Sequence, residues 1–415
     1  MTTLNDTLAL PSGATLPNRL AKSAMSEGLG DASGHADERL VRLYGRWSDG
    51  GTGLLITGNV MIDRDAVAEP GNVVLDRAHP LPPLQAWAAA ATRAGNHAWV
   101  QINHPGRQVP RSVSSEPVAP SAVPVKLGKA FATPRALNGD EIEALVTKYA
   151  ESAARAQEAG FTGVQIHGAH GYLVSQFLSP LTNLRTDDWG GDPARRRRFL
   201  LEIVRAIRAA VGPDFPIGVK LNSADFQRGG FTEEESMDVV AALEAEGIDL
   251  LEISGGTYER SVMFAESNAN AKASTQAREA FFLEYAERVR SRTSLPLLLT
   301  GGFRSGAAMT EALAGAVDVV GMARPLAVEP DLSARLLADP TVAARVVKVS
   351  TGNGMLDGLV VGVWYGTQLR RMGAGQDPNP RLSRLRALLT YVVSHLRGGG
   401  SRGRGKKNRL EFAAR

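Results

Sequence analysis

The sequence predicts an α/β fold in which eight parallel strands close into a (β/α)8 barrel, and three observations carry that expectation. From about residue 18 onward, short apolar runs alternate with amphipathic segments of helical period, as repeated βα units require. The alternation recurs eight times, which favours closure over an open sheet. The chain has 415 residues, longer than an average domain yet compatible with a barrel, which runs to roughly 250 residues or more as one unit with extensions.

Taken in order, the strands are expected at Arg19–Ala24, Gly53–Thr57, Ala98–Asn103, Gly163–His167, Ile217–Leu221, Leu250–Ser254, Leu297–Thr300 and Val317–Gly321. A helix at Asp37–Trp47 places Leu40, Leu43 and Tyr44 on one face, and another at Asp140–Glu158 opens on Asp140 and keeps Ile142, Leu145 and Ala153 at helical spacing. Thr232 before Glu233, Glu234 and Glu235 is a capped start with acids in the first turn, where the helix dipole favours them. Gly106–Leu137, after the third strand, carries Pro110, Pro117, Pro120, Pro124 and Pro134; a βα loop of this length is more often functional than accidental and is expected to form a lid or rim. The barrel should occupy residues 1–340 and a helical extension residues 341–396, with helices at Leu359–Met372 and Pro380–Leu396. Residues 397–415, past Gly398-Gly399-Gly400-Ser401, read as a disordered basic tail.

Composition narrows the class. With 43% hydrophobic and 22% charged residues the chain can bury a large core. The net charge of +4 and pI near 9.3 owe much to Arg397, Arg402, Arg404, Lys406, Lys407 and Arg409 in the tail, and the body shows no basic stripe interleaved with aromatics, so no nucleic-acid partner is expected. There is no cysteine, which removes disulfides, thiolate metal sites, cysteine-held iron–sulfur clusters and a cysteine nucleophile. Redox chemistry would then need a bound cofactor. Met1–Pro17 lacks the layout of a secretion signal, and no run approaches the roughly 18 apolar residues of a membrane span. A soluble, cytoplasmic protein with no membrane partner is the expectation.

In an α/β barrel the active site lies at the C-terminal ends of the strands, so polar residues just past an apolar run carry the most information. The fourth strand provides the densest group: His167, His170 and Tyr172 arrive within six residues, interrupted by Gly168 and Gly171. Imidazole donors can stabilise negative charge on a carbonyl oxygen, and a phenol can deliver a proton to the neighbouring carbon. That combination suits reduction of an activated alkene. A His-x-x-His pair is open to metal ligation or simple packing as well, although no carboxylate or cysteine ligands stand at clear metal spacing, and no metal is expected.

The stretch from Gly160 through His167-Gly168-Ala169-His170-Gly171-Tyr172-Leu173, continuing to Gln176-Phe177-Leu178-Ser179-Pro180, Asn183, Arg185-Thr186-Asp187, Gly190-Gly191, Arg197 and Phe199, resembles the Old Yellow Enzyme family of NAD(P)H:flavin oxidoreductases. The resemblance covers roughly residues 5–340 and implies a TIM barrel with FMN at its mouth. Leu16-Pro17-Asn18-Arg19-Leu20, leading to Ala24-Met25-Ser26, is similar to the family's first strand. It implies that Ala24, Met25 and Ser26 line the flavin, with Ser26 opposite its C4 carbonyl. There this chain has Ala24 where the family often has Pro, and Ser26 where it has Thr or Cys. Gln101 matches the glutamine that bonds the flavin pyrimidine, which suits an amide because it both donates and accepts. Lys220 stands where the family usually has Arg, beside flavin N1 and the C2 carbonyl; it can supply charge but not the planar fork. Gly301 and Gly302, with Ala323 and Arg324, match the phosphate site, and His167 counts among the flavin-lining residues too.

The resemblance implies an FMN-dependent ene-reductase using NADH or NADPH as co-substrate, in which His167 and His170 hold a carbonyl oxygen and Tyr172 protonates the α-carbon. Its partner would be a small enone or related activated alkene, and the reading leaves room for a homo-oligomer. An NAD(P)H oxidase passing electrons to oxygen, a non-catalytic flavin-binding module and a metal-dependent barrel hydrolase are the competing classes. The missing cysteines, and the absence of chain past the barrel for a second nucleotide-binding domain, argue against the family's longer iron–sulfur members. Gly255-Gly256-Thr257-Tyr258-Glu259-Arg260 matches only loosely and is given no catalytic role.

Overall fold

The computed structural model describes residues 2–126, 128–254, 283–349 and 354–391. Eight parallel strands form the barrel: β1 (Leu20–Lys22), β2 (Leu54–Ile56), β3 (His97–Asn103), β4 (Gly163–Gly168), β5 (Ile217–Asn222), β6 (Leu250–Ser254), β7 (Leu297–Thr300) and β8 (Val319–Met322). Each pairs with its sequence neighbour, β8 pairs with β1, and the sheet therefore closes. All eight fall within two residues of the expected bounds at either end.

The helices are α1 (Glu38–Asp49), α2 (Leu81–Thr92), α3 (Gly139–Ala159), α4 (Leu173–Leu178), α5 (Pro193–Val211), α6 (Glu233–Ala245), α7 (residues 283–290), α8 (Gly306–Ala314), α9 (Arg324–Val328), α10 (Leu332–Ala338) and α11 (Gly354–Gly373). Leu40, Leu43, Tyr44 and Trp47 of α1 are buried in the layer between helices and strands, at about 1.5–3 kcal/mol for each large apolar side chain removed from water. Thr232 and Glu235 form a reciprocal capping box at the start of α6, as its sequence suggested. The expected start of α3 on Asp140 is corrected: Asn138 accepts from the Glu141 N–H and its own N–H is met by the Glu141 carboxylate, each at 2.8 Å, so Asp140 lies inside the first turn.

Inside the barrel, side chains alternate along each strand, and the inward positions form tiers. The floor is apolar, with Ala21, Leu54, Trp99, Leu250, Leu298 and Val319. It is plugged by Leu10, which follows Leu8–Ala9, and by Leu16 of Thr15–Leu16, two short strands that pair antiparallel. Above the floor the inward positions turn polar, which prepares the mouth for chemistry.

The loop at 106–137 is a pinned rim. A short parallel pair, Val118–Ala119 with Arg135–Ala136, lies within it, and the Arg185 guanidinium donates to the carbonyls of Pro120 and Leu137. Beyond the barrel, α11 crosses α1 and packs with Val328 of α9: Val363 and Trp364 share a core with Val328 and Ala387, and Trp364 Nε1 donates to Leu382 O at 3.0 Å. The helix expected at Pro380–Leu396 begins later, at residue 384, because Asn379 is tied to Gln368 through both its N–H and its carbonyl. Its far end, the basic tail and the Gly255–Arg260 loop lie outside the described residues.

Candidate active site

The last two inward positions of four successive strands are polar: Gln101 and Asn103 on β3, Gln165 and His167 on β4, Lys220 and Asn222 on β5, Glu252 and Ser254 on β6. Period two explains the pattern, since residues i and i+2 share a face. All of these but Ser254 are buried. They connect. Gln101 Nε2 donates to Gln165 Oε1 at 2.7 Å, and Gln165 Nε2 donates to Glu252 Oε2 at 2.8 Å. Glu252 Oε1 lies 2.9 Å from Lys220 Nζ and accepts from Thr300 Oγ1 at 2.8 Å. Thr300 Oγ1 is 2.6 Å from Ser23 Oγ. A carboxylate only accepts, so this chain of amides has one direction, and the carbonyl oxygen of Gln101 is the atom it leaves over.

Above this tier the end of β4 turns sharply. His170 (φ 60°) and Gly171 (φ 76°) are both left-handed, a conformation that costs a non-glycine residue about 1–3 kcal/mol unless its surroundings over-determine it. At His170 they do. Its N–H donates to Asn222 Oδ1 at 3.2 Å, its carbonyl accepts from Gln108 Nε2 at 3.0 Å, and its Nε2 lies 2.7 Å from Ser254 Oγ. The turn returns Tyr172 to face His167, with ring centroids 4.9 Å apart, while the two imidazoles stand edge to face at 5.1 Å. Ala169 N–H donates to His167 Nδ1 at 3.3 Å, which leaves Nε2 to carry the proton of the neutral ring. Burial, then the Lys220 charge, pushes both histidines well below the ordinary imidazole range, so they enter chemistry as neutral donors.

On the opposite wall, Ala24 and Met25 are half-buried and Ser26 is exposed. Ser26 Oγ donates to Asn59 Oδ1 at 2.9 Å, and Asn59 Nδ2 lies 3.4 Å from the Tyr172 hydroxyl. One amide thus joins the serine that follows β1 to the phenol that follows β4. The wall is braced from behind by Glu27, whose carboxylate accepts from Gly58 N–H at 2.8 Å and from the Tyr44 hydroxyl, with Lys22 Nζ 3.8 Å away. Burial pushes the Lys22 ammonium down to about 8. A Cβ at Gly58 would fall 2.1 Å from Glu27 Oε2 and 2.3 Å from Met25 O. The backbone carbonyl cannot rotate away, so Gly58→Ala should displace Met25 and destabilise the fold by about 1–3 kcal/mol; urea unfolding beside the parent protein checks this.

Gly301 (φ 149°) and Gly302 (φ 70°) follow β7, and Ala323 and Arg324 follow the adjacent β8, so the four residues expected at a phosphate share one sector of the rim. The described residues hold no group of three or more His, Asp or Glu placed to bind a metal, and His167 and His170 have no third ligand there. A depression of about 450 Å³ beside Thr2, Arg290 and Asp318 lies at the other end of the barrel, where Arg290 is already paired with Asp318.

Sequence reasoning missed Asn59, Gln165, Glu252, Ser254 and Thr300. The signal that finds four of them is a polar side chain at the inward positions near a strand's C-terminal end; Asn59 sits in a loop and carries no such mark.

The histidines also make stability depend on pH. His104 is pushed down to about 4 by burial, and burial together with the Lys220 charge holds His167 and His170 well below the ordinary imidazole range. An unfolded chain takes up these protons near pH 6.5 while the folded one does not, so stability is full above that value and falls as pH drops through it. The His104 shift alone corresponds to about 3 kcal/mol lost between roughly pH 6.5 and 4. Denaturant titrations at neutral pH and near pH 4.5 should show this acid loss; equal stability at both would contradict it.

A closed barrel with amides, a lysine, neutral imidazoles and a phenol at its mouth, and paired glycines on the next rim, suits the chemistry of a cofactor-dependent oxidoreductase. The comparisons agree. Residues 10–339 match the model of the NADH:flavin oxidoreductase / NADH oxidase family, and the chain belongs to that family. The NADH-dependent flavin oxidoreductase iccE of Talaromyces variabilis is 37% identical over 82% of this chain and 87% of its own length. The NADH-dependent flavin oxidoreductase iliE of Neonectria sp. (strain DH2) is likewise 37% identical over 83% of this chain, which spans only 48% of that longer protein. A solved structure of 2-naphthoyl-CoA reductase with 2-naphthoyl-CoA superposes with a TM-score of 0.78 at 25% identity, over 88% of this chain and 58% of the other. No helix among the described residues is long and apolar enough to cross a membrane.

Proposed function

We propose that this chain reduces the activated C=C bond of α,β-unsaturated carbonyl compounds with NADH, through FMN held in the barrel mouth. The observation that carries the reading is the convergence of His167, His170 and Tyr172 beside the inward tier of Gln101 and Lys220.

The residues present fit FMN. The Gln101 carbonyl oxygen left over by the amide chain suits the pyrimidine N3–H, and both side-chain polar atoms of buried Asn103, two residues on, lack a protein partner. Lys220 would stand at the N1 and C2 carbonyl edge, and Ser26, with Ala24 and Met25, at the C4 carbonyl edge. The left-handed glycines Gly301 and Gly302 let backbone N–H groups approach an anion closely, and Ala323 with Arg324 would complete the phosphate site.

FMN held there would supply the hydride-transfer chemistry that links the nicotinamide to the β-carbon of the alkene. The chain's own groups do the rest. His167 and His170, kept neutral by burial and the Lys220 charge, donate hydrogen bonds to the carbonyl oxygen as it gains negative charge. Tyr172 delivers the proton to the α-carbon, so hydride and proton together complete the saturated product. Its ring packs against Met61, Ala68 and Val74, which hold it in place. The NADH in the names of both fungal relatives supports that donor.

The test is anaerobic. The purified protein should be yellow, and with NADH it should convert 2-cyclohexenone to cyclohexanone. A yellow protein that leaves the enone untouched but consumes oxygen in air is an oxidase and refutes the proposal. A colourless one refutes the flavin itself.

A further inference from the structure

The carboxylate of Glu252 takes no part in the proposed hydride and proton transfers, yet both of its oxygens are engaged. It is fully buried, it is paired in strand register with Lys220, and its two oxygens receive Lys220 Nζ, Thr300 Oγ1 and Gln165 Nε2 between 2.8 and 2.9 Å. A buried acid with every direction met is built into the site, since an unmatched charge there would be costly.

We infer that Glu252 sets the electron affinity of the flavin by holding Lys220 in place and offsetting its charge, which makes it a positioning residue rather than a catalytic one. The inference rests on FMN lying against Lys220. A lone lysine at the N1 and C2 carbonyl edge would favour the negative charge that appears there on two-electron reduction. Here the ammonium already has a carboxylate at 2.9 Å. The pair presents no net charge, so reduction is favoured far less than the lysine alone suggests. The dipole of the pair keeps its positive end on the Lys220 side, which preserves the contact while limiting the pull. The low-dielectric interior leaves little water to screen either charge, so removal of one partner should be felt strongly at the ring.

The midpoint potential of the bound flavin, measured anaerobically against a reference dye, reads this directly and does not depend on turnover. Glu252→Gln keeps the shape and removes the charge. It should favour the reduced flavin by at least tenfold, a rise of about 30 mV for a two-electron couple. Should burial of unpaired Lys220 unfold that variant, Glu252→Gln combined with Lys220→Met carries the test. With both charges gone, the equilibrium should stay within about tenfold of the parent. A potential in Glu252→Gln equal to or below the parent's overturns the inference. So does a fall of about a hundredfold or more in the double variant, because that is the signature of an unopposed lysine. A parent protein that binds no FMN overturns the flavin reading itself, and the inference with it.

Discussion

Replacing Tyr172 with Phe should slow enone reduction by the NADH-reduced protein about 10²–10⁴-fold, the usual contribution of a positioned general acid. That is roughly 3–5 kcal/mol of transition-state stabilisation. Flavin reduction by NADH should change little, because no proton from Tyr172 is needed in that half of the cycle. The substitution removes a hydroxyl and leaves the ring packed between His167 and the Met61, Ala68, Val74 cluster, so the fold should be unaffected. It also ends the contact between Asn59 and the phenol, but Asn59 retains Ser26. Stopped-flow measurement of the two half-reactions separates the cases: selective loss of the alkene step supports proton delivery by Tyr172, and equal slowing of both steps contradicts it.

The second large effect is expected at the oxyanion donors. Substituting His167 and His170 together with Leu should weaken binding of a phenolate, which mimics the developing enolate, by about 10²-fold or more, since each hydrogen bond to a charged group contributes about 1.5–3 kcal/mol. The single substitutions should not add up to the double, because the rings touch at 5.1 Å and share the field of Lys220. Both imidazoles are neutral across the working range, so these residues should introduce no break in ligand affinity between about pH 6 and 8. A break in that window lost in the double variant would mean that one of them is charged there. Unchanged affinity in the double variant would remove both from the oxyanion role.

The barrel was legible because period-two and helical-period patterns are local, and the strand bounds fell close to those expected. The His167 to Tyr172 group was legible for a related reason: all three side chains come from one strand end, so adjacency in sequence became adjacency in space. What escaped were pairings made by closure. Lys220 and Glu252 are 32 positions apart and meet because β5 and β6 lie in register. In Leu250-Leu251-Glu252-Ile253 the acid looks like an interruption of an apolar run, although the inward period makes it part of the mouth. Asn59 is further from view: its position depends on Glu27 and Gly58 holding the ends of β1 and β2 together. The start of α3 on Asn138 was obscured by Asp140, which is equally suited to a first turn.

The central claim, that hydride from NADH reaches the β-carbon while the α-carbon is protonated, is tested most directly by isotope position. NADH deuterated at the transferring C4 position, turned over anaerobically with 2-cyclohexenone in ordinary water, should give cyclohexanone with deuterium at the β-carbon and none at the α-carbon. Deuterium at the α-carbon, an unlabelled β-carbon, or no saturated ketone would contradict the account.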